Sequence, residues 1–228
     1  MVEIRNVLCA VDFSDTSRHA LEHAAAIAGW YQAKLTALHV MQSPFFANPP
    51  VFFADFAFVP SDADRAQARD WLCSWVSETP VSGVHVELLV DEGPPHRRIL
   101  QYAQAVTADL VVLGTHGRGG VERMLLGSVA ERVLRKAECP VLTVPPKARA
   151  TGLPYKRLLC PVDFSGPSLS ALRFATSIAL ESDAHLTILY VFEWPPDEEW
   201  LVEQVDSPEL RRAMEEQTRL RLDRLVSD

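Results

Sequence analysis

Hydrophobic positions in this chain fall into short dense runs separated by stretches of helical spacing. Val7 to Val11 is a near-continuous apolar run, as expected for a strand buried on both faces. Ser14 or Asp15 can cap a helix whose apolar positions Ala20, Leu21, Ala24, Ile27 and Ala28 recur at helical intervals. Leu35 to Val40 reads as a second strand. The alternation continues with a helix over Asp62–Val76, a strand over His85–Val90 and a helix over Pro95–Ala105. A strand at Leu110–Leu113, a helix at Leu126–Lys136 and a strand at Val141–Val144 follow. Five strands alternating with four helices predict an α/β fold, a five-stranded parallel sheet with helices on both faces.

The same pattern then begins again. Asn6 to Val40 aligns without a gap on Arg157 to Val191 at an offset of 151, with 17 of 35 positions identical. The block Val11-Asp12-Phe13-Ser14 recurs as Val162-Asp163-Phe164-Ser165, so the chain carries two copies of one unit. Residues 147–155, rich in Pro, Gly and charge, read as a linker between a first domain at 1–146 and a second at 156–228. The second copy holds a strand, a helix, a strand and a helix from about Pro208 to Leu225, and lacks counterparts of three strands and two helices. Three readings stand: its strands join another sheet, the half-domain is marginally ordered, or the chain is a truncated tandem protein. The ordinary solvated character of Asp197, Glu198 and Glu199 favours the last.

Composition narrows the function. Hydrophobic residues make up 48% and charged residues 23% of the 228, which is ordinary for a folded soluble protein. No apolar run reaches the roughly 18 residues of a membrane helix, and Glu3 and Arg5 interrupt any leader-like N-terminus. A net charge of −8 without a basic stripe disfavours nucleic acid. Cys9, Cys73, Cys139 and Cys160 form no CxxC pair, and Cys9 and Cys160 lie inside apolar runs as small core hydrophobes. A reducing cytoplasm is the expected setting.

Candidate chemistry concentrates in Leu110–Val129, LVVLGTHGRGGVERMLLGSV. A buried strand ends at Gly114, a loop holds Gly117, Gly119 and Gly120, and Gly127-Ser128 opens a helix. Glycines let backbone N–H groups approach a ligand, and a helix start offers unpaired donors, which together suit phosphate. No Gly-Lys-Ser/Thr follows, so this is not a P-loop, and a dinucleotide GxGxxG would follow the first strand instead. The spacing Gly114-x2-Gly117-x9-Gly127-Ser128 resembles the ATP-binding signature of the universal stress protein family. VDFSDTSRHAL after the first strand and ECPVLTVP at the end agree, and the resemblance covers residues 1–146 and the front half of a second such domain.

The resemblance implies a Rossmann-like sheet and a site for ATP, with Mg²⁺ as its usual companion. Ala10, Val11 and Asp12 would line the adenine and ribose side, and Val40 would meet the adenine. Leu113, Gly114, His116, Gly117 and Arg118 would surround ribose and phosphates, with Gly127, Ser128 and Val129 closing on the phosphates. A carboxylate such as Asp12 can accept from a ribose hydroxyl but would repel phosphate; its alternative role is a helix cap. Arg118 either counters phosphate charge or is a solvated loop residue. Asp163 repeats Asp12, but no second glycine loop exists in residues 151–228, so one site per chain is expected.

Other features are weaker. His19 and His23, four apart with Glu22 between, have a metal-capable spacing but no evident third ligand, so partly exposed helix residues are the plainer reading. No catalytic constellation accompanies His116, which leaves at most slow ATP hydrolysis. Six of the ten phenylalanines lie in residues 43–62, a segment that packs over the domain or meets a partner. Trp71 and Trp75 are expected to pack beneath it. The last strand, VLTV, resembles the edge through which family members pair, which implies a homodimer. Two functions compete: an ATP-binding regulatory module of the stress response, favoured by the glycine pattern, and a nucleotide-independent interaction protein working through dimer or tandem contacts.

Overall fold

The computed structural model describes residues 2–42, 60–81, 83–116, 126–148, 153–191 and 208–227. They divide into two compact units, one of residues 1–156 with 180–183, the other of 157–179 with 184–228.

In the first unit the strands are β1 (Asn6–Val11), β2 (Lys34–Met41), β3 (Val86–Glu92), β4 (Leu110–Gly114) and β5 (Val141–Val144). The helices are α1 (Asp15–Tyr31), α2 (Asp62–Ser77), α3 (Pro95–Ala105) and α4 (Ser128–Leu134). All strand pairs are parallel, in the order β3-β2-β1-β4-β5. The chain therefore builds outward from β1 through β2 to β3, then returns to place β4 against the other side of β1. Leu8, Val111 and Leu113 bury one sheet face against Ile99 and Ala103 of α3 and Ala130 and Val133 of α4. The alternate residues Val7, Cys9 and Val11 are buried as well, as a strand covered on both faces requires. α1 packs on β1 and β4, and α2 packs on β3.

Local chemistry sets the boundaries. Ser14 is the N-cap of α1, its Oγ accepting the Ser17 N–H. Ser61 and Asp64 form a reciprocal capping box at the start of α2. α4 is shorter than the Leu126–Lys136 helix read from the sequence, because Gly127 is an extended N-cap and the helix closes at Arg135. β3 runs two residues beyond Val90, carried by pairing in which Asp91 and Glu92 face Val40 and Met41.

The second copy of the repeat holds β6 (Arg157–Pro161), α5 (Gly166–Ser182), β7 (His185–Leu189) and α6 (Pro208–Ser227). β6 pairs in parallel with β7 in a separate two-stranded sheet. Its register, Arg157 opposite His185, is the Asn6–Lys34 register of β1 and β2 shifted by the repeat offset. Cys160, Val162 and Leu172 form a small core against which Leu222 and Leu225 of α6 pack.

Candidate functional site

Where β4 lies beside β1 the strand order reverses, and the C-terminal strand ends part there. A crevice at such a reversal is the usual ligand position in open α/β sheets. A cavity of about 740 Å³ opens there. Its floor is Ala10 and Val11 of β1, Leu38 and Val40 of β2 and Leu113 of β4, with Ile99 closing one apolar wall. Asp12, Ser17, Thr115, His116 and Ser128 contribute polar groups around it. Ten of the twelve residues read from the sequence as the nucleotide site line this one cavity: Ala10, Val11, Asp12, Val40, Leu113, Gly114, His116, Gly127, Ser128 and Val129. The other two, Gly117 and Arg118, lie outside the described residues.

Asp12 follows the last residue of β1. Its Oδ1 accepts from the Ser14 N–H at 3.1 Å and from the Ser14 hydroxyl at 2.6 Å, which orders the turn into α1. The helix cap is Ser14 itself, and Asp12 braces it. His116 Nδ1 lies 3.0 Å from the Thr115 hydroxyl.

The two framing glycines are required by close approach. A Cβ on Gly114 would stand 2.8 Å from Thr16 Cγ2 and 3.2 Å from the Thr16 carbonyl carbon, so the strand end and α1 could not pack as they do. At Gly127 a Cβ would stand 3.0 Å from the Thr115 carbonyl oxygen. The Gly127 N–H donates to that same oxygen at 2.6 Å, closing the loop ahead of α4. Gly127 itself lines the cavity and precedes Ser128 and Val129 at the start of α4.

The sequence model of the universal stress protein family matches residues 3–145 and 154–227. This chain belongs to the universal stress protein family. The sequence is 37% identical to a universal stress protein of Methanocaldococcus jannaschii over 141 residues, 61% of this chain and 81% of that one. Among solved structures, that of the hypothetical protein MJ0577, described as a structure-based assignment of biochemical function, is 27% identical. It superposes with a TM-score of 0.52 over 63% of this chain and 97% of its own. A universal stress protein from Archaeoglobus fulgidus in complex with dAMP matches at 26% identity and a TM-score of 0.43, over 63% of this chain and 99% of its own.

Several residues of the cavity in this universal stress protein were not expected from its sequence. Leu38 was legible, since it shares a strand face with Val40 two positions on. Pro95 and Ile99 had no local signal, because the strand order alone brings α3 over β2. His23 is a correction: it is 7% exposed, where a partly exposed helix residue was expected. Its Nδ1 lies 2.7 Å from the Tyr155 hydroxyl, and the rings stack at 5.6 Å. Tyr155 also meets Trp30 edge-on, so the end of the expected linker is packed against α1. Burial lowers the His23 pKa, with the Ala148 backbone and Glu22 opposing the shift, and pushes the Tyr155 hydroxyl up to about 12. Among the described residues no group of three or more His, Cys, Asp or Glu could hold a metal. Trp75 packs on Phe13, while Trp71 is exposed; the phenylalanine-rich segment 43–59 lies outside the described residues. Cys9 and Cys160 are buried free thiols, and burial raises both pKa values. No helix among the described residues is long and apolar enough to cross a membrane.

Proposed function

We propose that residues 1–146 bind one ATP, with Mg²⁺ on its phosphates, and that the chain is a nucleotide-sensing regulatory module of the stress response. The observation that carries this reading is the coincidence of the Gly114-x2-Gly117-x9-Gly127-Ser128 spacing with a cavity of about 740 Å³ at the strand-order reversal. The residues suit the ligand. Ala10, Val11 and Val40 offer an apolar surface for a purine, and the Asp12 carboxylate accepts from amino or hydroxyl hydrogens. Ser128 and Val129 at the start of α4 serve the phosphate end, where Asp12 would repel, and the family resemblance adds Gly117 and Arg118 to that end. Bound Mg²⁺ supplies charge neutralisation on the phosphate oxygens.

The reading assigns no catalytic residue and allows at most slow hydrolysis. It places the protein in the cytoplasm, where free thiols persist, and pairs two copies through the edge of β5.

Calorimetric titration of the nucleotide-stripped chain with ATP and Mg²⁺ tests it. Binding near one ATP per chain is the expected result. A folded chain with no detectable binding would overturn the nucleotide reading in favour of an interaction protein.

A further inference from the structure

The peptide unit joining Val11 to Asp12 is held on both sides. On one side, the Asp12 N–H donates to Ser17 Oγ at 3.3 Å, and that hydroxyl donates to the Ser14 carbonyl at 2.9 Å. On the other, His39 Nδ1 lies 2.9 Å from the Val11 carbonyl oxygen. A carbonyl only accepts, so Nδ1 carries the proton and donates. His39 is the ladder partner of Val11, which puts the imidazole beside that carbonyl.

The next residue adds strain. Phe13 has φ of +64°, a left-handed conformation that costs a bulky residue about 1–2 kcal/mol. Its ring packs on His39 with centroids 4.3 Å apart and meets the edge-on Trp75 ring at 5.8 Å. The Arg18 guanidinium covers Trp75 at 4.8 Å from the ring centre and donates to Thr79 Oγ1 at 3.0 Å. His39 therefore contributes to the turn twice, through a hydrogen bond and through a ring face.

The second copy separates these contributions. Phe164 has φ of +62° and packs on Tyr190 at 5.0 Å, and the Asp163 N–H donates to Ser168 Oγ at 3.3 Å. Ring stack and serine clamp recur. Tyr190 stands where His39 stands in the first copy, and it has no ring nitrogen to donate to the Val162 carbonyl. The copy with the glycine-framed cavity carries the carbonyl donor, and the copy without such a glycine loop carries tyrosine.

We infer that His39 is a positioning residue for the nucleotide: by donating to the Val11 carbonyl it sets the 11–12 peptide, and with it the angle at which Val11 and Asp12 meet the ligand. This rests on the ATP reading above. The donor distinguishes the role from simple packing, so three variants divide it. His39→Phe keeps a ring and loses the donor, His39→Tyr reproduces the second copy, and His39→Asn keeps a donor and loses the ring.

The test measures affinity of the full chain for Mg²⁺-ATP and for inorganic tripolyphosphate, with amide exchange across residues 11–14. Expected is a loss of about tenfold in ATP affinity for His39→Phe and His39→Tyr, the scale of one hydrogen bond. His39→Asn retains most of the affinity, the tripolyphosphate affinity stays in place, and exchange at Asp12 rises in the Phe and Tyr variants. Unchanged ATP affinity in all three, or an equal loss with tripolyphosphate, would overturn the positioning role. Unchanged exchange at Asp12 would overturn the clamp itself, with or without nucleotide. A wild-type chain that binds no ATP overturns the nucleotide reading and this role together, and exchange then reports the clamp separately.

Discussion

Gly114 and Gly127 belong to one sequence pattern and meet different constraints. Gly114 is excluded from carrying a side chain by Thr16 of α1, whose methyl and carbonyl carbons crowd the position. Gly114→Ala is therefore expected to cost about 1–3 kcal/mol of stability through overpacking, read in denaturant unfolding. A Cβ on Gly127 would press most closely on the Thr115 carbonyl oxygen, which its own N–H already binds. Gly127→Val should cost less stability than Gly114→Ala and weaken ATP by about tenfold or more, because it displaces Ser128 and Val129. Equal effects of both changes on stability would remove the distinction. Asp12 shows the same economy, since one carboxylate oxygen braces Ser14 while the residue lines the cavity.

At the scale of elements, α1 is bound to its surroundings by a titratable contact. His23 and Tyr155 join the helix to residues that composition marks as linker. Burial sets the folded His23 pKa below its ordinary value of 6.5. The unfolded chain then takes up a proton more readily than the native one as pH falls. The contribution is intact above about pH 6.5 and is lost progressively below it, toward the lower folded value. Unfolding free energy should accordingly drop between pH 7.5 and pH 5, and His23→Phe should flatten that drop. A variant with the wild-type pH dependence would place the cause elsewhere.

On the scale of the whole molecule, the two copies share sequence, register and turn geometry, and the glycine-framed cavity is built by the first. The lining residues of the first unit come from β1, β2, β4, α1, α3 and α4. The second unit has counterparts of β1, α1 and β2 and, among the described residues, none of the rest. ATP at about 100 times its dissociation constant should stabilise the first unit by about 2.7 kcal/mol. Where the units unfold in separate steps, seen by calorimetry, only the step of the first should move. A nucleotide-dependent shift in the second would contradict one site per chain.

What the chain determined locally was legible in it. Apolar runs at Val7–Val11 and Leu110–Leu113 announced buried strands, since a strand covered on both faces has no polar positions to spare. The 151-residue offset announced the repeat, and the repeat brought its strand register with it. The glycine spacing carried a family resemblance, and that resemblance implied ten residues that line the cavity. Tertiary structure alone decided the rest. Return of the chain to the far side of β1 opened the cavity beneath Pro95 and Ile99, whose positions carry no local mark. It brought Tyr155 onto His23 across 132 residues and paired His39 with Val11. Spacing along a sequence reports what neighbours a residue has within its own element. Which elements become neighbours follows from strand order, and that is settled by the packing of the whole sheet.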